Sequence, residues 1–512
     1  MSEPILIGGE WKAGRGPDMV SVYPADGSEN AVVAGASAAD VDEAVARAKA
    51  AMAEPAWRDM KPHDRGSLLM RVSQLISERA EDLARLQMRD NGKPIGETRA
   101  LVASAAGTFR YYGAVAETME EEITPSRGPF VSMSIYDPIG VVAAITPWNS
   151  PIASDAQKLA PALAAGCAVI LKPAGVTPLV ALELGRICEA AGIPKGIVSV
   201  LPGPGAVIGD ALVTHPDIAR VAFTGGTEVG RGIARQAAEK LMPVSLELGG
   251  KSPTIVFEDA QIDHAVNGVI FGIFSSSGES CIAGSRLFVH RKILDQFTEA
   301  LVAKTVQLRI GDPAAETTQM GPLVSVSHRE GIEKYVALGR EEGGEILTGG
   351  ARPEDGGYTN PAGGDFAYRD GSFYLPTIFT GLGNDARMVQ EEIFGPVLAI
   401  LPFEDEEDLI AQANDTVFGL ACGLWTEDYR RAWRLARRID AGTVWINTYK
   451  LFSIATPFGG LKDSGTGREK GRQGIRQYQE QKSLRNILCF LHTLILGTAA
   501  LEPLIMVQVL SP

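Results

Sequence analysis

Short runs of consecutive apolar residues alternate with amphipathic segments between residues 140 and 241. The apolar runs cover residues 141–145, 168–171, 197–201 and 219–223, and the segments between them have helical spacing. Strands that are apolar on both faces and are joined by helices are typical of a parallel sheet with right-handed crossovers. The pattern therefore predicts a Rossmann-like, parallel-sheet nucleotide fold in this part of the chain.

Three amphipathic helices are predicted before this sheet. Ser37 and Asp40 have the spacing of a capping box at the start of a helix over 41–52. A second helix covers 64–90 and ends at Asn91-Gly92, and a third covers 97–117. Residues 130–136 alternate in polarity and predict a strand, either a hairpin that reaches a neighbouring subunit or an ordinary edge strand.

A second α/β alternation follows residue 281. It consists of helical patterns at 292–306, 328–342 and 406–414 and strand patterns at 397–403 and 443–447. This alternation predicts a second α/β domain.

The last segment of the chain differs from the rest. Residues 487–501 contain no Asp, Glu, Lys or Arg. This run is shorter than the roughly 20 residues that span a bilayer. We therefore expect a tail that packs on its own or a neighbouring subunit rather than a membrane anchor.

Composition excludes several classes of protein. A chain of 512 residues that is 45% hydrophobic can bury the cores of two or three domains. A formal net charge of -14 argues against a nucleic-acid binder, which needs a basic face. The five cysteines form no CxxC motif, which favours reduced thiols in the cytoplasm. Residues 1–20 lack a signal-peptide pattern, and the six scattered histidines indicate no metal site.

Cys281 is the candidate nucleophile. It lies in the segment 275–286 among serines and glycines, which crowd neither its sulfur nor the backbone beside it. The thiolate of cysteine is strongly nucleophilic. The alternative interpretation is a small buried hydrophobic residue, which is the usual role of a lone cysteine.

A glycine turn is the candidate phosphate site. Residues 223–230, Phe-Thr-Gly-Gly-Thr-Glu-Val-Gly, follow a predicted strand and open a helix. Gly225 and Gly226 allow the backbone to approach a phosphate, and the helix N-terminus offers N–H donors. Gly205 at the preceding strand end is a weaker signal of the same kind. Lys172 ends another strand, where it can reach a ribose or phosphate. An ordinary tight turn and a surface lysine remain the alternatives.

Two further side chains suit acyl chemistry. Glu247 lies between Leu246 and Leu248, and such an apolar setting raises a carboxyl pKa and suits a general base. The alternative is an interdomain ion pair with Lys251. Asn149 follows a strand end and can donate an amide hydrogen to an oxyanion, although a turn asparagine has the same pattern.

Together these motifs resemble the aldehyde dehydrogenase superfamily over residues 5–486. The matching segments are Pro-Trp-Asn-Ser-Pro at 147–151, Lys-Pro at 172–173, the glycine turn at 223–230, Glu-Leu-Gly-Gly-Lys-Ser-Pro at 247–253, Gly278 with Cys281 and Ala-Gly-Ser-Arg at 283–286, Glu-Glu-Ile-Phe-Gly-Pro at 391–396, Gly-Thr-Val-Trp-Ile-Asn at 442–447 and Pro-Phe-Gly-Gly at 457–460. The resemblance implies an NAD(P)-dependent enzyme that oxidises an aldehyde to its carboxylic acid.

The resemblance also implies catalytic roles. Cys281 attacks the aldehyde to form a thiohemiacetal, and the Asn149 amide and the Cys281 backbone N–H hold its oxyanion. Hydride transfer to nicotinamide leaves a thioester, and Glu247 activates the water that hydrolyses it. The presence of Glu247 favours this hydrolytic branch over the coenzyme-A-acylating one.

The cofactor residues follow from the same resemblance. They are Trp148, Lys172, Gly175, Gly205, Gly225, Gly226, Glu392 and Phe394. Glu392 matches a ligand of the nicotinamide ribose, and Lys172 matches a ligand of the adenosine ribose. Many NAD-preferring members have a glutamate where this chain has Gly175. Its absence removes the repulsion of a 2'-phosphate, so the cofactor is NAD or NADP.

The substrate pocket is placed by position in the family. Its predicted lining is Ser150, Ala153, Gln157, Ser280, Ile282, Tyr449, Lys450, Phe452 and Phe458. Ser150 and Gln157 occupy places that are often aromatic, so we expect a roomier and more polar pocket. Lys450 pairs with a substrate carboxylate, as in a semialdehyde dehydrogenase, or is simply an exposed loop lysine.

The predicted fold class is α/β, with a Rossmann-like cofactor domain, an α/β catalytic domain and a small β oligomerisation flap. Their predicted boundaries are 1–119 with 139–247, then 248–469, then 120–138 with 470–486, followed by an apolar extension at 487–512. The flap implies a homodimer or a homotetramer.

Two other classes of function are weighed. A fold-only protein without catalysis is disfavoured because Cys281, Asn149 and Glu247 are all present. A serine hydrolase is disfavoured because residues 278–282 lack the second glycine of a nucleophile elbow.

Overall fold

The computed structural model describes residues 2–128, 130–361, 363 and 366–487. The strands, in chain order, are β1 (Ile5–Ile7), β2 (Glu10–Lys12), β3 (Met19–Val22), β4 (Glu29–Val33), β5 (Glu122–Thr124), β6 (Phe130–Pro138), β7 (Val141–Ile145), β8 (Ala168–Lys172), β9 (Val198–Val200), β10 (Ile218–Thr224), β11 (Val244–Glu247), β12 (Pro253–Val256), β13 (Arg286–His290), β14 (Glu345–Thr348), β15 (Thr377–Thr380), β16 (Val397–Phe403), β17 (Phe418–Gly419), β18 (Ala421–Trp425), β19 (Thr443–Ile446), β20 (Leu461–Lys462), β21 (Gly465–Thr466) and β22 (Gln479–Ile487).

The helices lie between these strands. In chain order they are α1 (Ala38–Ala53), α2 (Pro55–Arg58), α3 (Pro62–Glu78), α4 (Ala80–Asn91), α5 (Ile95–Thr118), α6 (Pro151–Ala165), α7 (Leu179–Ala190), α8 (Asp210–Thr214), α9 (Thr227–Ala238), α10 (Ile262–Phe274), α11 (Leu294–Thr305), α12 (Val326–Glu341), α13 (Arg387–Gln390), α14 (Glu406–Asn414), α15 (Tyr429–Ala436) and α16 (Gln473–Arg476).

The first large sheet has the strand order β2-β1-β9-β8-β7-β10-β11-β21 in the described residues. Its five central strands, from β9 to β11, are parallel, and antiparallel strands lie at both edges. Every residue of β7 and β8 is buried, as expected for strands covered by helices on both faces. The predicted Rossmann-like α/β fold is confirmed.

The strand order of this sheet reverses beside β7. The chain runs outward from β7 through β8 to β9 and then returns to place β10 on the other side of β7. In open α/β sheets, ligands bind outside the carboxyl ends of the strands at such a switch point. The segments that leave β7 and β10, which carry Asn149 and Gly225, are therefore brought together there.

The second large sheet has the order β14-β15-β16-β13-β12-β18-β19, and its strands are parallel except for β14. Side chains alternate between its two faces, as the pleat of a strand requires. On β13, Leu287 and Val289 pack in one buried cluster and Phe288 packs in another. Each large sheet thus has a hydrophobic core of its own.

The helices before the first sheet differ from prediction at one place. The capping box of Ser37 and Asp40 is present at the start of α1, and Gly92 ends α4 in the left-handed conformation. A single helix over 64–90 is wrong, because α3 ends at Glu78 and α4 begins at Ala80. Arg79 leaves the helical conformation, and its guanidinium donates to the Glu183 carboxylate at 2.6 Å. Hydrophobic spacing misses this break because both helices bury an apolar face.

Contacts divide the described chain into two compact units. The first, Met1–Met119 with Pro138–Gln479, contains both large sheets. The second combines Glu120–Asp137 with the described chain from Glu480 onward, and its sheet has the order β22-β6-β5. The predicted strand at 130–136 lies in β6. Among the described residues, no helix has both the length and the apolarity to cross a bilayer. The predicted apolar tail, 487–512, lies outside the described residues except for the backbone of Ile487.

Candidate active site

The segment before Cys281 is an irregular turn. Helix α10 ends at Phe274, and Ser276, Ser277 and Gly278 then have φ values of 57°, 54° and 75°. Glu97 fixes this turn, since its carboxylate accepts from the Ser276 N–H at 2.8 Å and from the Ser276 hydroxyl at 2.7 Å. The turn stops the helix short of Cys281, so the sulfur lies in a loop rather than on a packed helix face.

Cys281 lies in the wall between two cavities of about 720 and 660 Å³. Asn149, Thr224 and Glu247 line both cavities together with Cys281. The larger one, called the strand-end cavity, opens at the carboxyl ends of β7, β8 and β10. The smaller one, called the lysine cavity, is lined on its other sides by residues that include Lys93, Lys450 and Lys470. The structure thus brings all three predicted catalytic side chains to one wall.

Most predicted cofactor residues line the strand-end cavity. They are Trp148, Lys172, Gly205, Gly225, Gly226, Glu392 and Phe394. Gly175 does not line it, although its neighbour Ala174 does. The Lys172 ammonium donates to the Pro173 carbonyl at 3.1 Å, and burial lowers its pKa to about 8.

The glycines of this cavity fit a phosphate. A Cβ at Gly205 or Gly226 would meet no atom within 4 Å, so both face open space. A Cβ at Gly225 would lie 2.5 Å from the Phe223 ring, so only glycine fits the turn. Helix α9 begins directly afterwards at Thr227 and presents its N-terminal N–H groups. These features fit the pyrophosphate of a dinucleotide.

Aromatic and acidic side chains form the far side of the strand-end cavity. The Trp148 ring meets Phe394 and His328 edge-on, each with ring centroids 5.2 Å apart. His328 was not predicted, and no motif in the sequence indicates it. It is fixed by a 2.8 Å hydrogen bond to the Phe394 carbonyl. The Glu392 carboxylate accepts from the Gly250 N–H at 3.0 Å, and burial raises its pKa to about 7.

Asn149 is held at the shared wall from the segment after β7. Its side-chain amide donates to the Glu279 carbonyl at 3.0 Å. A carboxamide has two N–H donors, so this bond orients the amide and leaves the second donor for a ligand. Because Glu279 lies two residues before Cys281, the bond also ties the amide to the loop that carries the sulfur.

Glu247 ends β11 and is 5% exposed. Neither of its carboxylate oxygens has a hydrogen-bond partner in the described residues. Burial, and then the negative charge of Glu469, hold its pKa well above the ordinary range. The alternative pair with Lys251 is wrong, because that ammonium donates to the Met388 and Glu391 carbonyls at 2.8 and 2.6 Å. Glu247 therefore has the environment of a general base.

The thiol of Cys281 is partly exposed to the cavities and close to several charges. Burial, together with the carboxylates of Glu392 and Glu247, raises its pKa to about 12, and the Lys450 ammonium lowers it in part. At neutral pH the sulfur is thus a thiol, and forming the thiolate requires a base or a positive charge at the shared wall.

The lysine cavity contains most predicted substrate residues. Those that line it are Ser150, Ala153, Gln157, Ser280, Ile282, Lys450, Phe452 and Phe458. Tyr449 was also predicted to line it, but it is 3% exposed and donates its hydroxyl to the Ile282 carbonyl at 3.0 Å. It packs against Trp425 and Trp445. Tyr449 therefore supports the cavity wall from behind.

Ionisable side chains of the lysine cavity were mostly missed. The interpretation of Lys450 as an exposed loop residue is wrong, because this side chain is partly buried and lines the cavity. The sequence did not indicate that Lys93, Glu97, Glu279 or Lys470 would line the same cavity. These residues come from separate segments, so only the fold brings them together. Among the described residues, no cluster of His, Cys, Asp and Glu could hold a metal ion.

Comparisons with known proteins identify the family of this chain. The sequence model of the aldehyde dehydrogenase family matches residues 11–484. Betaine aldehyde dehydrogenase of Bacillus subtilis (strain 168) is 40% identical over 484 residues, which cover 94% of this chain and 97% of that protein.

Solved structures give the same result. An NAD+ complex of aldehyde dehydrogenase from Bacillus cereus has a TM-score of 0.91 at 38% identity and covers 96% of this chain and 97% of its own. Betaine aldehyde dehydrogenase from Staphylococcus aureus in complex with NAD+ has a TM-score of 0.91 at 35% identity, with coverages of 95% and 94%. A family match over nearly the whole chain, with relatives of this identity and coverage, shows that the chain belongs to the aldehyde dehydrogenase family of NAD(P)-dependent enzymes.

Proposed function

We propose that this enzyme oxidises an aldehyde to its carboxylic acid with NAD(P)+ through a thioester on Cys281. The observation that carries the proposal is the shared wall, where a thiol, a buried carboxyl and a fixed amide meet between two cavities. The strand-end cavity has the glycine turn and helix N-terminus that suit a dinucleotide. The lysine cavity then gives the aldehyde access to the sulfur from the other side.

The first half of the reaction forms an acyl-enzyme. The Cys281 thiol releases its proton to solvent, and the thiolate attacks the carbonyl carbon. The new oxyanion accepts from the second N–H of the Asn149 amide and from the Cys281 backbone N–H. When bound, the oxidised nicotinamide ring supplies a hydride acceptor. Loss of hydride from the tetrahedral carbon leaves a thioester on Cys281.

The second half of the reaction consumes water. Glu247 accepts a proton from a water molecule, which attacks the thioester carbon and releases the carboxylic acid and the Cys281 thiol. Two observations support this role: Glu247 lines both cavities, and its oxygens have no competing hydrogen bond among the described residues. The overall balance is aldehyde, NAD(P)+ and water to carboxylic acid, NAD(P)H and a proton.

Cofactor choice, assembly and compartment extend this proposal. The relatives are crystallised with NAD+, while Gly175 places no acidic side chain to repel a 2'-phosphate, so we propose use of NAD, NADP or both. We also propose a cytoplasmic homodimer or homotetramer. The sheet β22-β6-β5 is the candidate oligomerisation flap. The proposed division of the first unit into cofactor and catalytic domains follows its cores, which are one cluster for the first large sheet and two clusters for the second.

Single-turnover kinetics of Glu247→Gln tests the mechanism. We expect steady-state turnover to fall by about 10²–10⁴, the usual contribution of a general base. A rapid burst of one NAD(P)H per active site should remain, because thioester formation precedes the Glu247 step. Cys281→Ala should abolish both phases.

Glu239→Gln is the matched control, since this exposed carboxyl at the end of α9 lines neither cavity. Normal turnover in Glu247→Gln, or persistent NAD(P)H formation in Cys281→Ala, would contradict the proposed mechanism.

A further inference from the structure

We propose that the lysine cavity selects aldehydes that carry an anionic group, a carboxylate or a phosphate, and that Lys450 and Lys93 bind this group. The inference rests on the proposed function and names the substrate class of the same site. It would make Lys450 and Lys93 specificity residues that bind the end of the substrate remote from the aldehyde.

Lys450 is aimed into the cavity by an uncommon backbone conformation. Its φ is 55°, in the left-handed region that side chains other than Gly, Asn and Asp rarely adopt. The ammonium donates to the Ser275 hydroxyl at 2.8 Å and lies 5.8 Å from the centroid of the Phe271 ring. The hydroxyl is neutral, so Lys450 forms no ion pair through this bond, and an ammonium has two further N–H donors.

Lys93 is the second ammonium of the cavity. It is 3% exposed and lines the cavity, yet its ammonium makes no hydrogen bond or ion pair with any described residue. The nearby Glu97 does not pair with it, because the Glu97 carboxylate accepts from the Ser276 N–H and hydroxyl instead. Glu97 and Glu279 act on the Lys93 ammonium electrostatically but accept no hydrogen bond from it. A buried ammonium without a hydrogen-bonded partner is costly, so an anionic ligand in the cavity would stabilise it.

The charges around the two ammonium groups favour an anion. Burial lowers the pKa of Lys450 to about 8 and lowers that of Lys93. Glu97 raises both pKa values, Glu279 also raises that of Lys93, and the Lys93 ammonium lowers that of Lys450. Burial raises the pKa of Glu279 to about 8, so this carboxyl is largely neutral at pH 7. Of the other carboxyl groups that line the cavity, Glu469 pairs with Lys158 and Glu247 has a pKa well above its ordinary range. Glu97 is then the carboxylate that acts on both the Lys93 and the Lys450 ammonium groups. An anionic substrate group would balance the second of these two charges.

The position of Lys450 relative to the sulfur restricts the length of the substrate. Lys450 and Cys281 line the same cavity of about 660 Å³, and the ammonium is close enough to lower the thiol pKa. A short aldehyde with an anionic end can therefore reach both groups. A cationic aldehyde, such as the one that names the Bacillus subtilis relative, would bring its charge toward Lys450 and Lys93.

The test compares kcat/KM for four aldehydes at pH 7. They are succinic semialdehyde, glyceraldehyde 3-phosphate, butanal and betaine aldehyde, which are a carboxylate, a phosphate, a neutral and a cationic aldehyde. We expect kcat/KM for at least one anionic aldehyde to exceed that for butanal by about tenfold or more, because binding the anionic group would pair a buried charge. Lys450→Met should remove that advantage and leave butanal within about threefold of wild type. Lys93→Met should also lower the ratio of kcat/KM for the anionic aldehyde to kcat/KM for butanal.

Two controls separate charge from damage to the fold. Lys450→Arg keeps the positive charge and should retain the preference. Lys462→Met removes another left-handed lysine, with φ of 51°, which lines neither cavity and should leave all four values unchanged. Succinate, which cannot react, should inhibit butanal oxidation competitively in wild type and about tenfold more weakly in Lys450→Met.

The outcomes distinguish this inference from the proposed function. Oxidation of butanal or betaine aldehyde in preference to both anionic aldehydes overturns the inference and leaves the thioester mechanism intact. Equal losses for all four aldehydes in Lys450→Met also overturn it, because they indicate a structural role. Absence of oxidation of all four aldehydes counts against both.

Discussion

The two cavities that meet at Cys281 are built in different ways. One side of the strand-end cavity is formed by backbone, namely the carboxyl ends of parallel strands, a glycine turn and the start of α9, and its far side by aromatic and acidic side chains. The lysine cavity is formed by side chains from α5, α6, α10 and the loops that carry Lys450 and Lys470. Backbone geometry suits a ligand that does not vary, whereas side chains can be exchanged. We therefore propose that the fold determines cofactor binding and chemistry, and that a few side chains of the lysine cavity determine substrate choice.

The largest expected effect comes from the wall that both cavities share. Asn149→Ala removes the oxyanion donor, and loss of one such donor typically costs about 10²–10³ in kcat. Because the donor serves the reacting carbonyl, the loss should be similar for every aldehyde and with NAD or NADP. Steady-state kinetics on the four-aldehyde panel measures this.

Asn267→Ala, at an exposed position of α10, is the matched control for loss of an amide. If Asn149→Ala lowered kcat for particular aldehydes only, Asn149 would instead be a residue that selects substrates by shape.

An intermediate effect is expected at the edge of the strand-end cavity. Gly175→Glu should lower kcat/KM for NADP relative to NAD by about tenfold, because a carboxylate there binds the ribose 2'-hydroxyl and repels a 2'-phosphate. A Cβ at Gly175 would lie 3.6 Å from the Met19 sulfur, an ordinary contact, so the side chain fits.

Gly175→Gln tests size without charge and should leave the NADP to NAD ratio closer to wild type. The ratio of kcat/KM for anionic aldehydes to kcat/KM for butanal should be unchanged in both variants. A change in that ratio would show that the two cavities are not independent.

The smallest expected effect is a pH dependence confined to the lysine cavity. Burial lowers the pKa of Lys450 to about 8, with Glu97 opposing the shift and Lys93 adding to it. The ammonium is present below this pKa and is lost above it. The preference for anionic aldehydes over butanal should therefore fall a few-fold as pH rises from about 7 to about 9.

Ionisation of Cys281 and Glu247 changes kcat/KM for both aldehydes alike, so it cancels in the ratio of the two kcat/KM values. Lys450→Arg stays charged over this range, so its ratio should be independent of pH. A ratio that falls equally in wild type and Lys450→Arg would assign the titration to another group.

Local patterns in the sequence predict the strand-end cavity, whereas the lining of the lysine cavity was predicted from position in the family, and most of its ionisable side chains were missed. Apolar runs locate the parallel strands, and a glycine turn after a strand has a local signature, so Gly225 and Glu247 could be placed without a structure. Lys93 and Lys450 are more than 300 residues apart in the chain, and no local pattern indicates that they share a cavity. Tyr449 was misplaced for a related reason, since position in a motif does not tell which face of a loop its side chain takes.

The left-handed turn that precedes Cys281 also restricts how this sequence can evolve. A side chain at position 278 would bring its Cβ within 2.2 Å of the Gly395 backbone, and residues 276 and 277 have φ values that disfavour β-branched side chains. Position 278 is therefore limited to glycine, and positions 276 and 277 disfavour β-branched residues. Descendants of such an enzyme can change the residues at 93 and 450 and acquire new substrates, while Cys281 keeps its position beside Asn149 and Glu247.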